Sequence, residues 1–211
     1  MRKNLGVKPY FMPLPVLLVA TYNEDGTANA MNAAYGTLGD FTKVSIYIGK
    51  GKRTIINAMR EKAFTVSFAD EAHMVDADYV GMTSGNKVQN KLAKTSFETA
   101  KSEFVNAPVI TNLPMTIECE LIEYDEVSEN LIGEIKNISI DEKYLHEDGA
   151  IDTAKMNLIF YNACENTYNL IGEKLAKAYD IGKKLMEQEA YGIGGQYDSY
   201  WIQKMHYMQG H

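Results

Sequence analysis

The segment that decides the fold runs from residue 15 to residue 35 and reads PVLLVATYNEDGTANAMNAAY. Its first part, Pro15 to Tyr22, is an apolar run of strand length. The turn Asn23-Glu24-Asp25-Gly26 follows, and its glycine supplies the positive φ that a tight hairpin turn needs. We therefore predict a return strand from about Thr27 to Tyr35, antiparallel to the first.

Four later segments alternate apolar and polar residues with a period of two, which is typical of strands. They lie at residues 44–48, 64–68, 115–121 and 131–140. The alternation slips by one residue where Leu121 is followed by Ile122, and again between Ile135 and Ile138. Phase slips in paired strands predict bulges, and bulges bend sheets into barrels. The sequence thus predicts a mainly β protein, a barrel decorated by short helices.

Three short helices are predicted. The first covers Thr54 to Lys62, where apolar residues recur on one helical face. A second begins at Ser84, whose hydroxyl can cap it, and a third runs from about Gly172 to Gln188. We therefore assign residues 1–188 to one domain. Residues 189–211, rich in Gly and Tyr, are either a tail or an arm that packs on a partner subunit.

The composition is that of an ordinary globular protein, with 211 residues, 45% hydrophobic and 23% charged residues. No apolar run approaches the length of a membrane span, and the first residues do not read as a signal peptide. The two cysteines are too few for a disulfide scaffold or a zinc site. A net charge of −7 argues against nucleic-acid binding. We therefore expect a cytoplasmic protein that binds neither nucleic acid nor membrane.

Small residues dominate the return strand, which ends in Asn29-Ala30-Met31-Asn32-Ala33-Ala34-Tyr35. Strands usually favour bulky side chains. Small ones would let a flat polar ring approach the backbone and bind its N–H and C=O groups. Tight packing of the strand against a helix would produce the same pattern, so these residues alone leave both interpretations open.

A basic turn, Lys50-Gly51-Lys52-Arg53-Thr54, follows a strand and opens the first predicted helix. Helix N-termini carry unpaired N–H groups and the positive end of the helix dipole, so they bind phosphate. Three cations and a hydroxyl at this place suit a single phosphate group. A solvated basic turn is the alternative.

A third polar cluster, Thr83-Ser84-Gly85-Asn86-Lys87, could bind a second anion or a ring edge, or could be a plain helix cap. The four histidines show no metal-type spacing, so no metal ligand is predicted.

Taken together, these segments resemble the flavin reductase-like family of FMN-binding split barrels, in its flavoredoxin-type branch. The resemblance covers about Leu5 to Leu185. One departure from it is Tyr35, which stands where flavoredoxin-like members often have Trp. The matching segments, in the family's order, are Pro13 to Thr21, Asp25 to Tyr35, Lys52-Arg53-Thr54 with Asn57, Phe64 to Ser67, Asp78 to Gly85, and Tyr168 to Glu173.

The resemblance implies a homodimer with one FMN per subunit, bound near the dimer interface. It places the isoalloxazine ring on the return strand, with Tyr35 flanking or stacking on it. The ring contacts would come from Asn29, Ala30, Met31, Asn32, Ala33 and Ala34. The phosphate would be held by Lys50, Lys52, Arg53 and Thr54, and the far side would be closed by Ser84, Gly85 and Lys87.

The resemblance also implies an NAD(P)H-dependent, flavin reductase-type oxidoreductase. The flavin carries the chemistry in such proteins, so no side chain is predicted to be catalytic. The alternative is a flavoredoxin-like electron carrier that shuttles electrons between redox proteins without its own nicotinamide turnover. A third hypothesis is a flavin-binding protein without turnover. The electron donor would be NAD(P)H or a redox protein.

Overall fold

A computed structural model describes residues 1–183 and residue 185. Contacts divide the chain into two units, Met1–Ile171 and Gly172–His211. The strands and α-helices named here lie in the first unit. They are β1 (Leu14–Pro15), β2 (Leu17–Tyr22), β3 (Ala28–Ala33), β4 (Gly36–Asp40), β5 (Lys43–Tyr47), α1 (Arg53–Glu61), β6 (Ala63–Phe68), α2 (Met74–Met82), β7 (Thr99–Lys101), β8 (Pro108–Ile110), β9 (Met115–Asp125), β10 (Asn130–Ile140), β11 (Ile159–Asn162) and β12 (Thr167–Leu170).

Seven antiparallel strands form the main sheet, in the order β3-β2-β6-β9-β10-β5-β4. The two outermost strands, β3 and β4, are joined by only residues 34 and 35. Three steps of about 3.8 Å then separate Ala33 from Gly36, so the two edges of the sheet lie within about 11 Å there. The sheet is therefore curled on itself, which confirms the predicted barrel.

Two bulges between β9 and β10 contribute to this curl, and both lie where the sequence alternation slips. Ile132 pairs with Glu123 and Gly133 with Leu121, which leaves Ile122 as the extra residue. Further along, Ile135 pairs with Cys119 and Asn137 with Glu118, which leaves residue 136 unpaired. An extra residue bends its strand and increases the local twist.

The predicted hairpin from β2 to β3 is confirmed, with Thr21 opposite Asn29 and Gly26 at φ 80°. Strand β2 is buried on both faces. Its residues Leu17 and Val19 pack inside the barrel, while Val16, Leu18 and Ala20 pack with Ala77 and Val80 of α2. Two cores explain why this stretch of sequence is continuously apolar.

Helix α1 confirms the first helix prediction to within one residue at each end. The second prediction is wrong, because residues 85–87 form a turn and the helix precedes them, ending at Met82. Helix α2 lacks a single apolar stripe: Ala77 and Val80 are buried, but Val75 and Met82 are 76% exposed. Its periodicity is therefore not visible in the sequence.

The third helix prediction is wrong for residues 172–182, which form irregular chain and turns. Residues 183 and 185 are helical, as predicted, and the rest of that prediction, with the tail at 189–211, falls outside the described residues. In the part of the chain that the structure describes, no helix is long and apolar enough to cross a membrane.

Candidate functional site

The hairpin and the first helix meet at Asn29. This side chain is 1% exposed, and its Nδ2 donates a 3.0 Å hydrogen bond to Oγ1 of Thr54, at the start of α1. Residues from two of the predicted clusters, 25 positions apart, are therefore in direct contact.

The N-terminus of α1 is positively charged and uncapped. Lys52 occupies the cap position without a side-chain hydrogen bond to the helix, and the first turn contains no acidic residue. Within the described residues, the side chains of Lys50, Lys52 and Arg53 form no ion pair. The helix dipole and these cations act in the same direction, so the position favours an anion.

The third cluster packs on the other two as a turn. A Cβ added to Gly85 would lie 2.8 Å from Oδ1 of Asn29 and 3.0 Å from Cβ of Arg53. Asn86 donates from Nδ2 to the carbonyl oxygen of Gly51 at 2.8 Å. The turn therefore closes over the start of α1, and only a glycine fits at residue 85 without displacing its neighbours.

One buried polar atom at this junction has no partner among the described residues, and it is Oδ1 of Asn29. The hydroxyl of Thr54 can either donate or accept, so the amide of Asn29 keeps one unpaired atom in either orientation. A buried polar atom without a partner is costly. The ring, hydroxyl and phosphate groups of FMN offer both donors and acceptors, so the residues present fit this cofactor.

Strand β3 can contribute backbone groups along its length. Among the described strands it is an edge strand that pairs only with β2, so its outer N–H and C=O groups have no ladder partner there. The side chains of Ala30 and Ala33 are buried in the two cores, and Met31 packs against the barrel interior. Their small or core-directed side chains leave the outer edge of the backbone accessible.

Asn32 is held from behind by α2 and β12. Its Nδ2 donates to the carbonyl oxygen of Ala77 at 3.2 Å and to the hydroxyl of Tyr168 at 3.4 Å, while Tyr168 donates to Asp78 at 2.8 Å. Burial, together with the nearby Asp78, raises the pKa of Tyr168 to about 12. Both hydrogens of the Asn32 amide are used, so its oxygen is the group left for a ligand.

Tyr35 lies apart from the phosphate-side residues. It is 47% exposed and packs edge-to-face on Tyr47, with ring centroids 6.3 Å apart. Both tyrosines line an open groove of about 750 Å³, together with Phe11 and Asn130. The half-buried Ala34 connects this groove to β3. The exposed Ser84 and Lys87 flank Gly85 in the closing turn.

Sequence reasoning missed Lys91. This side chain is 2% exposed, and its Nζ donates to the carbonyl oxygens of Val80 at 2.6 Å and Thr83 at 2.7 Å. Burial lowers its pKa to about 8, and the positive charge of Lys52 adds to the effect. It stands among other lysines in a polar stretch, and nothing in the sequence distinguishes the buried one.

Comparisons with known proteins agree with this geometry. The profile of the flavin reductase like domain matches residues 10–163. Flavoredoxin of Desulfovibrio vulgaris (Miyazaki F) is 33% identical, with a TM-score of 0.82 over 86% of this chain and 100% of that one. Flavoredoxin from Methanosarcina acetivorans is 27% identical, with a TM-score of 0.78 over 88% of this chain and 100% of that one.

A more distant structure shares the fold. The FMN-binding domain of a flavin reductase-like enzyme from Shewanella baltica is 22% identical, with a TM-score of 0.67 over 77% of this chain and 88% of that one. No curated protein sequence gives a significant match. The unit Met1–Ile171 is thus a split barrel. The family and the similar structures support flavin binding.

Proposed function

The chain belongs to the family of flavin reductase-like domains, and on that premise we propose that it is an FMN-dependent oxidoreductase that takes electrons from NADH or NADPH. The observation that carries the proposal is the junction of Asn29, Arg53 and Gly85. It combines a buried amide atom without a partner, an uncapped helix N-terminus and a close-packed glycine turn.

FMN suits this junction better than FAD. One helix N-terminus with Lys50, Lys52 and Arg53 around it matches one terminal phosphate. In FAD that phosphate is esterified to a further nucleotide, which would have to pass the closing turn at Gly85.

When bound, FMN supplies hydride chemistry at N5 of its ring. The residues of the chain would then bind the cofactor and orient its ring. Arg53 and the first amides of α1 would hold the phosphate, and the outer edge of β3 would fix the ring plane. Asn32, with both amide hydrogens already bonded, would present its oxygen at a fixed position. A ring held in this way lets a nicotinamide reach near-attack distance, about 3–3.5 Å.

A second candidate function is an electron carrier of the flavoredoxin kind. It is favoured by the 33% identity to the Desulfovibrio vulgaris flavoredoxin, which this chain covers from end to end. In this case reduced redox proteins, not NAD(P)H, would deliver the electrons.

Anaerobic stopped-flow spectroscopy separates the two functions. The FMN-loaded protein is mixed with NADH, with NADPH or with a reduced iron–sulfur protein, and loss of flavin absorbance is followed. Fast bleaching by a nicotinamide supports the reductase, and fast bleaching by the iron–sulfur donor alone supports the carrier. Bleaching by none of them would leave a flavin-binding protein without turnover. A colourless protein that does not change FMN fluorescence on titration would overturn the flavin site itself.

We also propose that the protein is a two-fold dimer, because Tyr35, Leu38 and Tyr47 expose 47%, 59% and 50% of their surface beside the groove. A second subunit would cover this apolar surface and shield the ring, and two-fold dimers are the commonest soluble assembly. A reducing compartment, the cytoplasm, suits the two free thiols of Cys119 and Cys164.

A further inference from the structure

Lys91 ties two parts of the site together. It begins a short 3-10 turn, Lys91–Lys94, that packs on β3. Its ammonium binds the carbonyl oxygens of Val80, in the last turn of α2, and of Thr83, just beyond the helix. Carbonyl groups at a helix C-terminus are the negative end of the helix dipole, so a cation is stabilised there.

The segment held by this ammonium carries both glycines that pack against the site. A Cβ on Gly81 would lie 3.0 Å from Cβ of Asn32, and one on Gly85 would lie 2.8 Å from Oδ1 of Asn29. The positions of Gly81 and Gly85 therefore depend on the hydrogen bonds made by Lys91.

The charges around Lys91 leave it poorly compensated. Its hydrogen-bond partners are neutral carbonyls, and Lys52, at the start of α1, opposes its charge. Strand β3, on which it packs, has no titratable residue. The two carboxylates of α2 are engaged elsewhere, Asp76 with Ser96 and Asp78 with Tyr168. Lys94, on the same 3-10 turn, and Lys87, in the closing turn, are exposed to solvent, which screens their charges.

We propose that Lys91 is a positioning residue whose proton and a flavin phosphate at the start of α1 stabilise each other. The proposal rests on the proposed flavin site. A phosphate dianion beside Lys52 and Arg53 cancels the repulsion that opposes the charge of Lys91. In return, a charged Lys91 keeps Gly81 and Gly85 in place around the cofactor. Such coupling is reciprocal by thermodynamic necessity.

The sign of the pH dependence follows from this linkage. The pKa of Lys91 is about 8 without ligand, and bound phosphate should raise it. FMN affinity is therefore fully present below pH 8 and is lost as pH rises from there toward the raised pKa. The phosphate itself titrates near pH 6, so it stays a dianion throughout this window.

The test measures dissociation constants of FMN and riboflavin by fluorescence between pH 7 and 9.5, at fixed ionic strength. For the unchanged protein we expect FMN binding to weaken by about tenfold over this range, as expected for a shift of one pKa unit. Riboflavin binding, without the phosphate, should change much less. Lys91→Met should bind both flavins more weakly at pH 7 and should lose the steep FMN profile. The exposed Lys94→Met is the control and should keep it.

Calorimetry on the unchanged protein provides a test that does not depend on a folded variant. FMN binding at pH 8.5, in buffers of different ionisation enthalpy, should be accompanied by proton uptake. Tight FMN binding without proton uptake, or a Lys91→Met profile as steep as that of the unchanged protein, would overturn the role of Lys91 alone. Failure to bind FMN at any pH would overturn the flavin site and this inference with it.

Discussion

The hydroxyl of Tyr168 donates a 2.8 Å hydrogen bond to the carboxylate of Asp78, across 90 positions of sequence. The same hydroxyl accepts a hydrogen bond from Asn32. Strand β12 is thereby connected through α2 and β3 to the edge where the flavin ring is proposed to lie. This three-residue relay links a tyrosine just beyond the residues matched by the family, 10–163, to strand β3.

Removing this hydroxyl should affect both stability and binding. We expect Tyr168→Phe to lower the free energy of unfolding by about 1.5–3 kcal/mol, the range for a hydrogen bond to a charged group. Asn32 also loses a partner, so FMN should bind more weakly. Urea unfolding and FMN titration measure the two effects. Tyr161→Phe is the matched control, because its hydroxyl bonds the exposed Asn166, and it should change neither quantity appreciably. Equal effects of the two variants would contradict the relay.

The phosphate site can be tested by comparing two ligands. We expect Arg53→Ala to weaken FMN by about ten- to a hundredfold, because charge-assisted hydrogen bonds contribute about 1.5–3 kcal/mol. Riboflavin lacks the phosphate and should be affected much less, which separates this effect from partial unfolding. Arg60→Ala removes a charge from the opposite end of α1 and should leave the ratio of the two affinities unchanged. If Arg53→Ala weakens both ligands equally, the basic turn is a solvated loop and Lys87 becomes the next candidate.

The barrel could be predicted because its determinants are local. The bulge at Ile122 is visible as a slip in the alternation of apolar and polar residues, and the hairpin turn requires Gly26 at positive φ. The position of α2 could not be predicted from the sequence. Its burial results from the packing of β2 and β3 on Ala77 and Val80 and not from an apolar stripe.

The same distinction applies to the site. The basic turn before α1 and the small residues of β3 were visible as unusual composition. The contact between Gly85 and Asn29 depends on the path of the closing turn. That path is fixed by hydrogen bonds from Asn86 to Gly51 and from Lys91 to Thr83. Ser84 opens only a single turn, in which the amides of Lys87 and Val88 donate to its carbonyl oxygen. A buried lysine is recognisable only once its surroundings are known.

Gly85 should tolerate no side chain when flavin binds. A methyl group there would meet Oδ1 of Asn29 and Cβ of Arg53, at 2.8 and 3.0 Å, so both residues must shift. We expect Gly85→Ala to weaken FMN by about tenfold, equivalent to about 1.4 kcal/mol. Gly39→Ala is the control, since its Cβ would lie 3.6 Å from the nearest atom, Cβ of Ser45. Unchanged FMN affinity in Gly85→Ala would exclude the closing turn from the site.

Gly133 has a structural role at the first bulge. A Cβ there would overlap Cζ of Phe64, a fully buried side chain inside the barrel. We expect Gly133→Ala to destabilise the protein by about 1–3 kcal/mol, as overpacking typically does. Phe64→Leu alone should also destabilise, but together with Gly133→Ala it should restore part of the loss. A double-mutant cycle in urea measures this coupling, and strict additivity would show that the two side chains do not meet.

The proposed dimer gives the last prediction. Light scattering should report twice the 23.7 kDa mass of one chain, with FMN bound. Leu38→Glu places a charge on the apolar surface beside the groove and should shift the protein toward monomer, because a carboxylate cannot be buried there without a partner. Val127→Glu is the control: Val127 is 95% exposed in the turn between β9 and β10. If residues 189–211 form an arm, truncation after Leu185 should also weaken the dimer, whereas unchanged dissociation would make them a passive extension. A monomer that retains FMN would refute the two-fold assembly while leaving the flavin site intact.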